Sequence, residues 1–153
     1  MINFVNNVLA NKILVASFWA WFSAQILKTL LYVIVNKEFN SERLLGDGGM
    51  PSSHSATVMA LVTSTGFYHG ANTFEFAIAC ILALIVMHDA MGVRRETGKQ
   101  AKAINNMMEW LMDMNNNISP EEKLKEFVGH SPSQVFFGAL LGILVAFIVC
   151  RVI

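Results

Sequence analysis

The sequence predicts an all-α integral membrane protein with about four transmembrane helices and one or two interfacial amphipathic helices. Hydrophobic residues make up 54% of the 153 residues and charged residues only 14%, against about 25% in soluble domains. Four apolar stretches alternate with polar connections, and the longest connection follows the third stretch. The formal net charge is zero, which gives no electrostatic basis for nucleic-acid binding. We expect one membrane domain over residues 1–153.

The four apolar stretches differ in how well they suit a membrane. Residues 13–35 are long enough to cross a hydrocarbon core of about 30 Å, and 74–91 and 135–153 form the third and fourth predicted spans. Residues 55–70 are short and carry hydroxyl residues, so this span needs shielding by its neighbours; a partial or re-entrant helix is the alternative. The amino-terminal stretch lacks a small-residue cleavage pattern, so we expect a retained first span.

A polar insert over residues 95–130 separates the third and fourth spans. Apolar residues recur at helical spacing over about 97–114, which predicts an amphipathic helix. SPEE, residues 119–122, has the N-cap, first-turn proline and capping-box glutamate of a second short helix. Cys80 and Cys150 lie inside apolar runs and indicate neither a disulfide nor a metal pair.

Unusual polar residues occur where four helix ends share one membrane face. With four spans, the end of the first, the start of the second, the end of the third and the start of the fourth face the same side. These places carry Gln25 and Lys28, then His54, then Asp89, Arg94 and Arg95, then His130 and Gln134. Chance would scatter such residues over both faces, so their convergence indicates a functional site.

Lysine and arginine residues favour the same face. Eight lie near it: Lys37, Arg43, Arg94, Arg95, Lys99, Lys102, Lys123 and Lys125. Two, Lys12 and Arg151, lie near the other face. The positive-inside rule therefore predicts a cytoplasmic site, with both termini outside.

The loop GDGGMPSSHSA, residues 46–56, has the composition of an anion-binding helix start. Its glycines allow close backbone approach, and Ser52 and Ser53 offer hydroxyls and N–H groups to an anion. His54 can bond a phosphate oxygen or protonate a leaving group. The alternative is a Gly/Ser turn with a serine N-cap and a surface histidine.

Cationic residues complete a predicted phosphate site. Lys28 and Gln25 share a helix face inside the first span, where they need a polar cavity, although snorkelling of Lys28 is the alternative. Arg94 and Arg95 suit bidentate phosphate contact, and Asp89 could accept from a histidine or pair with an arginine. Anchoring at the membrane surface is the alternative for the arginines.

GHSPSQ, residues 129–134, places His130 before the fourth span. A histidine that attacks phosphorus needs one ring nitrogen held, and Gln134 is placed to hold it one helical turn later. An ordinary interfacial histidine is the alternative. The sequence has no zinc, two-metal or serine-hydrolase motif, so these residues support phosphoryl transfer through a phosphohistidine without metal or cofactor.

MPSSHSA (50–56), DAMGVRRETGKQA (89–101) and GHSPSQV (129–135) together resemble the small divergent bacterial branch of the type 2 phosphatidic acid phosphatase superfamily, related to acid phosphatases and vanadium haloperoxidases. The resemblance implies an inner-membrane lipid phosphatase in which His54 protonates the leaving group and His130 is the nucleophile.

Several positions depart from the superfamily pattern. Ser53 replaces a glycine, Gln134 replaces an aspartate, and Leu124 stands where an arginine is expected. The superfamily's first motif, a lysine followed by Arg-Pro, is absent. We expect Lys28, Arg94 or Arg95 to substitute for the lost cations, and Asp89 to orient His130 in place of the aspartate. The superfamily core has six helices, so interfacial helices or a partner subunit in a homo-oligomer could complete the site.

The leading functional prediction is a membrane phosphatase for a lipid or polyprenyl phosphate monoester or diphosphate. We assign catalysis to His130, His54 and Asp89, and substrate binding to Lys28, Gln25, Ser52, Ser53, Arg94, Arg95 and Gln134. The alternative is a non-catalytic protein that binds or transports lipid phosphates, which Gln134 and Leu124 favour. A purely structural membrane protein is the third reading.

Overall fold

Six α-helices make up the regular structure of the described residues, which confirms the all-α membrane fold. The computed structural model describes residues 2–38, 49–114, 124 and 129–152. In chain order the helices are α1 (Ile2–Ala10), α2 (Lys12–Asn36), α3 (Ser53–His69), α4 (Phe74–Met91), α5 (Val93–Met114) and α6 (Pro132–Val152). The four predicted spans correspond to α2, α3, α4 and α6, and the predicted amphipathic helix to α5. The second insert helix, with Gly46 and Gly48 of the loop, lies outside the described residues.

Side-chain caps set the helix starts. Asn11 separates α1 from α2, because its side-chain oxygen accepts from the N–H groups of Ile13 at 3.1 Å and Leu14 at 3.2 Å. Ser52 caps α3 in the same way, and Thr73 caps α4. The sequence analysis placed the first span at residues 13–35 and did not predict α1.

The central helix of the bundle is the one whose span was least clear from the sequence. Of the described residues, three segments are long and apolar enough to cross a bilayer: Lys12–Asn36, Phe74–Met114 and Pro132–Val152. α3 has 17 residues, about 25 Å of helix, but it packs against α2, α4 and α6. Ser64 is fully buried in α3, and its hydroxyl donates to the Ala60 carbonyl at 2.7 Å. Packing by the neighbouring helices and this hydrogen bond within α3 stabilise the serine hydroxyl in the interior.

Small residues bring the helix backbones into direct contact. α2 contributes three fully buried alanines at four-residue spacing: Ala16, Ala20 and Ala24. On α6, a Cβ added to Gly138 would collide with the Ser52 carbonyl, and one added to Gly142 would collide with the Ala56 carbonyl. This is the packing that small residues at four-residue spacing permit in membranes. It fixes α3 in register with α6, and therefore fixes the relative height of the residues that begin both helices.

α5 leaves the bundle and, of the described helices, packs only against α4. Its apolar stripe is open, with Met107 62% and Trp110 61% exposed, as expected for a helix that lies on a bilayer surface. Asn105 is buried because its carboxamide bonds both backbone groups of Leu124, donating to the carbonyl at 2.9 Å and accepting from the N–H at 3.0 Å. These two bonds tie α5 to Leu124, a later residue of the same insert.

Candidate active site

Backbone hydrogen bonds join the starts of α3 and α6 to the end of α4. The N–H of Ser52 donates to the carbonyl of Gln134 in the first turn of α6 at 3.0 Å. The N–H of His130 donates to the carbonyl of Ala90 near the end of α4 at 2.9 Å. Such bonds satisfy backbone groups that helix ends leave open, and they hold the ends at fixed distances. The predicted convergence of helix ends is therefore present in the geometry.

The two motif histidines are in contact at this junction. The ring centroids of His54 and His130 lie 5.8 Å apart with an angle of 63° between the ring planes. His130 is 2% exposed, whereas His54, in the first turn of α3, is half-buried. The contact brings together the two residues that the sequence analysis named as nucleophile and proton donor.

Gln134 orients the His130 ring. Its side-chain oxygen lies 3.2 Å from His130 Nδ1 and accepts the N–H of Ser131 at 3.0 Å. Because a backbone N–H can only donate, the carboxamide atom at this position is the oxygen, and it needs a proton on Nδ1. In the neutral ring, Nε2 then carries the lone pair. Gln134 thus gives His130 the tautomer of a nucleophile, but it offers no negative charge to stabilise the imidazolium.

Ser52 is hydrogen-bonded by protein groups, as in the alternative of a serine N-cap. Its hydroxyl accepts from the Ser55 N–H at 3.4 Å and the Ser55 hydroxyl at 3.1 Å, and its own N–H bonds α6. The Ser52 N–H is therefore engaged and does not face a substrate; Ser52 caps α3 and ties it to α6. Ser53, 6% exposed, begins α3, so its N–H is one of the first-turn donors that the helix itself cannot bond.

Lys28 and Gln25 are interior residues of α2. Lys28 is 4% exposed and Gln25 is 7% exposed, so snorkelling does not describe Lys28. The aliphatic stem of Lys28 packs under the loop before α3: a Cβ added at Gly49, whose φ is +91°, would lie 3.0 Å from Lys28 Cγ and Cδ. A glycine suits Gly49 both for its positive φ and for this close approach. Among the described residues, Gln25 Oε1 is buried with no hydrogen-bond partner.

Asp89 and Arg94 form an ion pair at the elbow between α4 and α5. Arg94 Nε donates to Asp89 Oδ2 at 3.0 Å, and their side chains are 41% and 44% exposed. The contact that orients His130 thus comes from Gln134, while Asp89 is engaged with Arg94. Arg95 is exposed. Leu84, Ile85 and His88 flank the pair in an open cleft of about 550 Å³ that Asp89 and Val93 also line.

Gly129, which precedes His130, packs against the backbone of Arg94 and Arg95. Its φ is +91°, and a Cβ there would collide with the backbone of Arg94 and Arg95. The segment that carries His130 therefore lies directly on the first turn of α5. Ser131, Ala90 and the small-residue seam of α3 with α6 complete the support, and sequence analysis identified none of them. The spacing of Gly138, Gly142 and Ala146 is the signal that could have shown the seam.

Comparison with known proteins gives the family. The model of the Divergent PAP2 family matches residues 9–145, which include every candidate site residue. The "Uncharacterized membrane protein YuiD" of Bacillus subtilis (strain 168) is 39% identical over 153 residues, covering 92% of this chain and 95% of the relative. No solved structure matches. The resemblance carried by the three motifs is confirmed: the chain belongs to the Divergent PAP2 family, a phosphatase-related group of membrane proteins.

Proposed function

We propose that this protein is a membrane phosphatase that hydrolyses the phosphate monoester or diphosphate of a lipid or polyprenyl alcohol through a phosphohistidine. The observation that carries the proposal is the contact of His54 with a buried His130 whose Nδ1 is held by Gln134. Membership of a phosphatase-related family supports the same chemistry.

The reaction uses the two histidines in turn. His130 Nε2 attacks phosphorus, and the bond from phosphorus to the leaving oxygen breaks as His54 gives that oxygen a proton. A water molecule then attacks the phosphohistidine and gives its proton to His54. The phosphorus–nitrogen bond breaks, inorganic phosphate leaves, and both imidazoles return to their starting states.

Cations around the pair neutralise the phosphoryl oxygens. Lys28 supplies a buried positive charge, which acts strongly where water is excluded, and the Ser53 N–H adds a donor at the start of α3. Arg94 and Arg95 supply charge from the α5 side, and Asp89 positions Arg94 through their ion pair.

Gln25 has a separate role in this proposal. Its carbonyl oxygen accepts the proton of a P–OH group, which a monoester phosphate carries in its singly charged form.

A lipid substrate fits the position of the site. The histidine pair lies at the end of a bundle whose outer surface is apolar, with Phe136 59% and Leu140 47% exposed on α6. An apolar tail can lie against such a surface while its phosphate reaches the helix ends. Lysine and arginine bias favours the cytoplasmic face of an inner membrane.

The test is phosphate release by the purified full chain in detergent, with phosphatidic acid and a polyprenyl phosphate as substrates. We expect His130→Ala to lower kcat by about 10³-fold or more, the scale for loss of a nucleophile. His88→Ala changes an exposed histidine of α4 at the same end and serves as the matched control. A phosphoryl group on His130 should be found by mass spectrometry after rapid quenching. Equal rates for His130→Ala and the unmodified protein would exclude His130 as nucleophile.

A second candidate function is binding or transport of a lipid phosphate without turnover. It is favoured by Gln134, which orients His130 without charge, and by Leu124, which is 46% exposed where the superfamily has an arginine. Saturable binding of phosphatidic acid that Lys28→Met abolishes, with no phosphate release, would select this function.

A further inference from the structure

An open cavity of about 430 Å³ lies at the end of the bundle opposite the histidine pair. Its polar lining residues come from three helices and the junction between two of them: Asn7, Asn11, Lys12, Tyr68 and His69. The cavity has a structural origin in the length of α3. With 17 residues, about 25 Å, α3 ends at His69 before a hydrocarbon layer of about 30 Å is crossed, whereas the 25 residues of α2 reach further. The recess above the short central helix is closed on one side by α1.

The polar groups around this recess include a cation and several possible donors. The Lys12 ammonium lies 5.7 Å from the centre of the Tyr68 ring, so a charge and an aromatic face border the same space. The Tyr68 hydroxyl is engaged with Cys150. His69 is the next residue after Tyr68. Asn11 uses its side-chain oxygen to cap α2, which leaves its amide nitrogen as the group that can donate outward. Glu75 opens α4 at the same end, but it does not line the cavity.

The position of α1 puts this cavity at headgroup depth. α1 has exposed apolar residues, with Phe4 71% and Leu9 68% exposed, as in a helix that lies in the membrane interface. Tyr68 has the amphipathic character of interfacial aromatic residues. A ligand in the cavity would therefore keep its polar group between α1 and the end of α3 and its apolar part along the bundle.

We propose that this cavity binds the phosphate of an anionic phospholipid headgroup, in a site separate from the histidine pair. Lys12 provides the charge, His69 and the asparagine amides provide donors to the phosphate oxygens, and the Tyr68 ring forms part of the wall. A lysine beside the membrane attracts anionic lipid, and a cavity with further donors gives that attraction a defined site. The inference does not depend on the proposed phosphatase activity.

The test is native mass spectrometry of the purified full chain in detergent, with short-chain phosphatidylglycerol as probe and inorganic phosphate as competitor. We expect one lipid to bind per chain, and Lys12→Gln to weaken its binding by about fivefold to tenfold. Tyr68→Phe, which keeps the ring and removes a hydroxyl that bonds Cys150, should change the binding little. Arg151→Gln is the matched control, because it removes the same charge at the same end from a residue that does not line the cavity.

Two results would overturn the proposal. Either the unmodified chain binds no lipid saturably, or Lys12→Gln and Arg151→Gln weaken binding equally, which would show diffuse attraction to surface charge. Displacement of the lipid by inorganic phosphate at similar concentration would identify free phosphate as the ligand of the same cavity. Each variant is first checked for an unchanged elution volume and helical content, so loss of binding is not confused with unfolding.

Discussion

The two ends of the bundle hold their polar residues by different means. Around His130, backbone hydrogen bonds tie three helix ends together, and the ring is 2% exposed. At the opposite end, Lys12, Tyr68 and His69 are exposed side chains around an open cavity. Attack on phosphorus tolerates errors of less than about 1 Å, whereas attraction of an anion tolerates mobile side chains. The difference supports the proposed assignment of chemistry to the His130 end and of anion binding to the Lys12 end.

Gly142→Val should have the largest effect, because it forces α6 away from the Ala56 carbonyl and disturbs the seam that positions the histidine end. We expect the free energy of unfolding to fall by about 1–3 kcal/mol or more, with complete loss of phosphate release. Thermal unfolding in detergent and an activity assay measure the two effects. Leu144→Val, on the exposed side of the same helix, should change neither by much. Unchanged stability of Gly142→Val would mean that the seam does not set the register.

Lys28→Met should separate function from stability at the histidine end. Lys28 is buried and makes a contact of its own, so Met, which keeps the apolar stem and removes the ammonium, should lower the melting temperature only modestly. Loss of one charge that faces the transition state should lower kcat/KM by about 10²-fold to 10³-fold. Lys37→Met alters an exposed lysine of the same region and is the control. A sharp fall in stability would show that Lys28 is a structural ion.

Gln134→Leu should lower activity by about 10²-fold, the cost of misplacing a reacting group, because His130 Nδ1 loses its acceptor. Gln134→Glu keeps the acceptor, adds a charge, and should retain or raise the rate. Steady-state kinetics of both variants, with phospholipid binding at the opposite end as reference, measure the effect. If the two variants lose activity equally, the orientation of His130 does not depend on this side chain.

Asp89→Asn should have the smallest effect and lower kcat/KM by a few-fold. The side chains of Asp89 and Arg94 are each about two-fifths exposed, and ion pairs in contact with water are weak. The same kinetic assay measures it, and Glu96→Gln, in an exposed pair with Lys99, is the matched control. A loss above 100-fold would restore Asp89 to the direct catalytic role expected from the sequence.

Sequence periodicity predicted the main helices well, because hydrophobic runs and cap residues are local signals. The convergence of His54 and His130 also followed from the sequence, since parity of the spans decides which helix ends share a face. The suggestion that Gln134 holds His130 agrees with the 3.2 Å contact, because residues four apart lie on one helix face.

Other features depend on helix rotation, which the sequence alone does not specify. The backbone carbonyl of Ala90 accepts from the His130 N–H, whereas the side chain of the neighbouring Asp89 pairs with Arg94 at the elbow. Successive residues of a helix differ in direction by about 100°, so the rotation of α4 determines which groups meet His130. Ser52 was similarly ambiguous between substrate binding and capping, and the cap is what forms. The cavity around Lys12 depends on where α3 stops relative to α2, a tertiary property.

The contact of Gly138 with the Ser52 carbonyl limits how the proposed lipid substrate would enter. Where two main chains touch, no side chain can rotate to open a gap between α3 and α6. A bulky amphiphile would therefore reach the imidazoles past α2 or over the α4–α5 elbow, along paths bordered by side chains that can rotate.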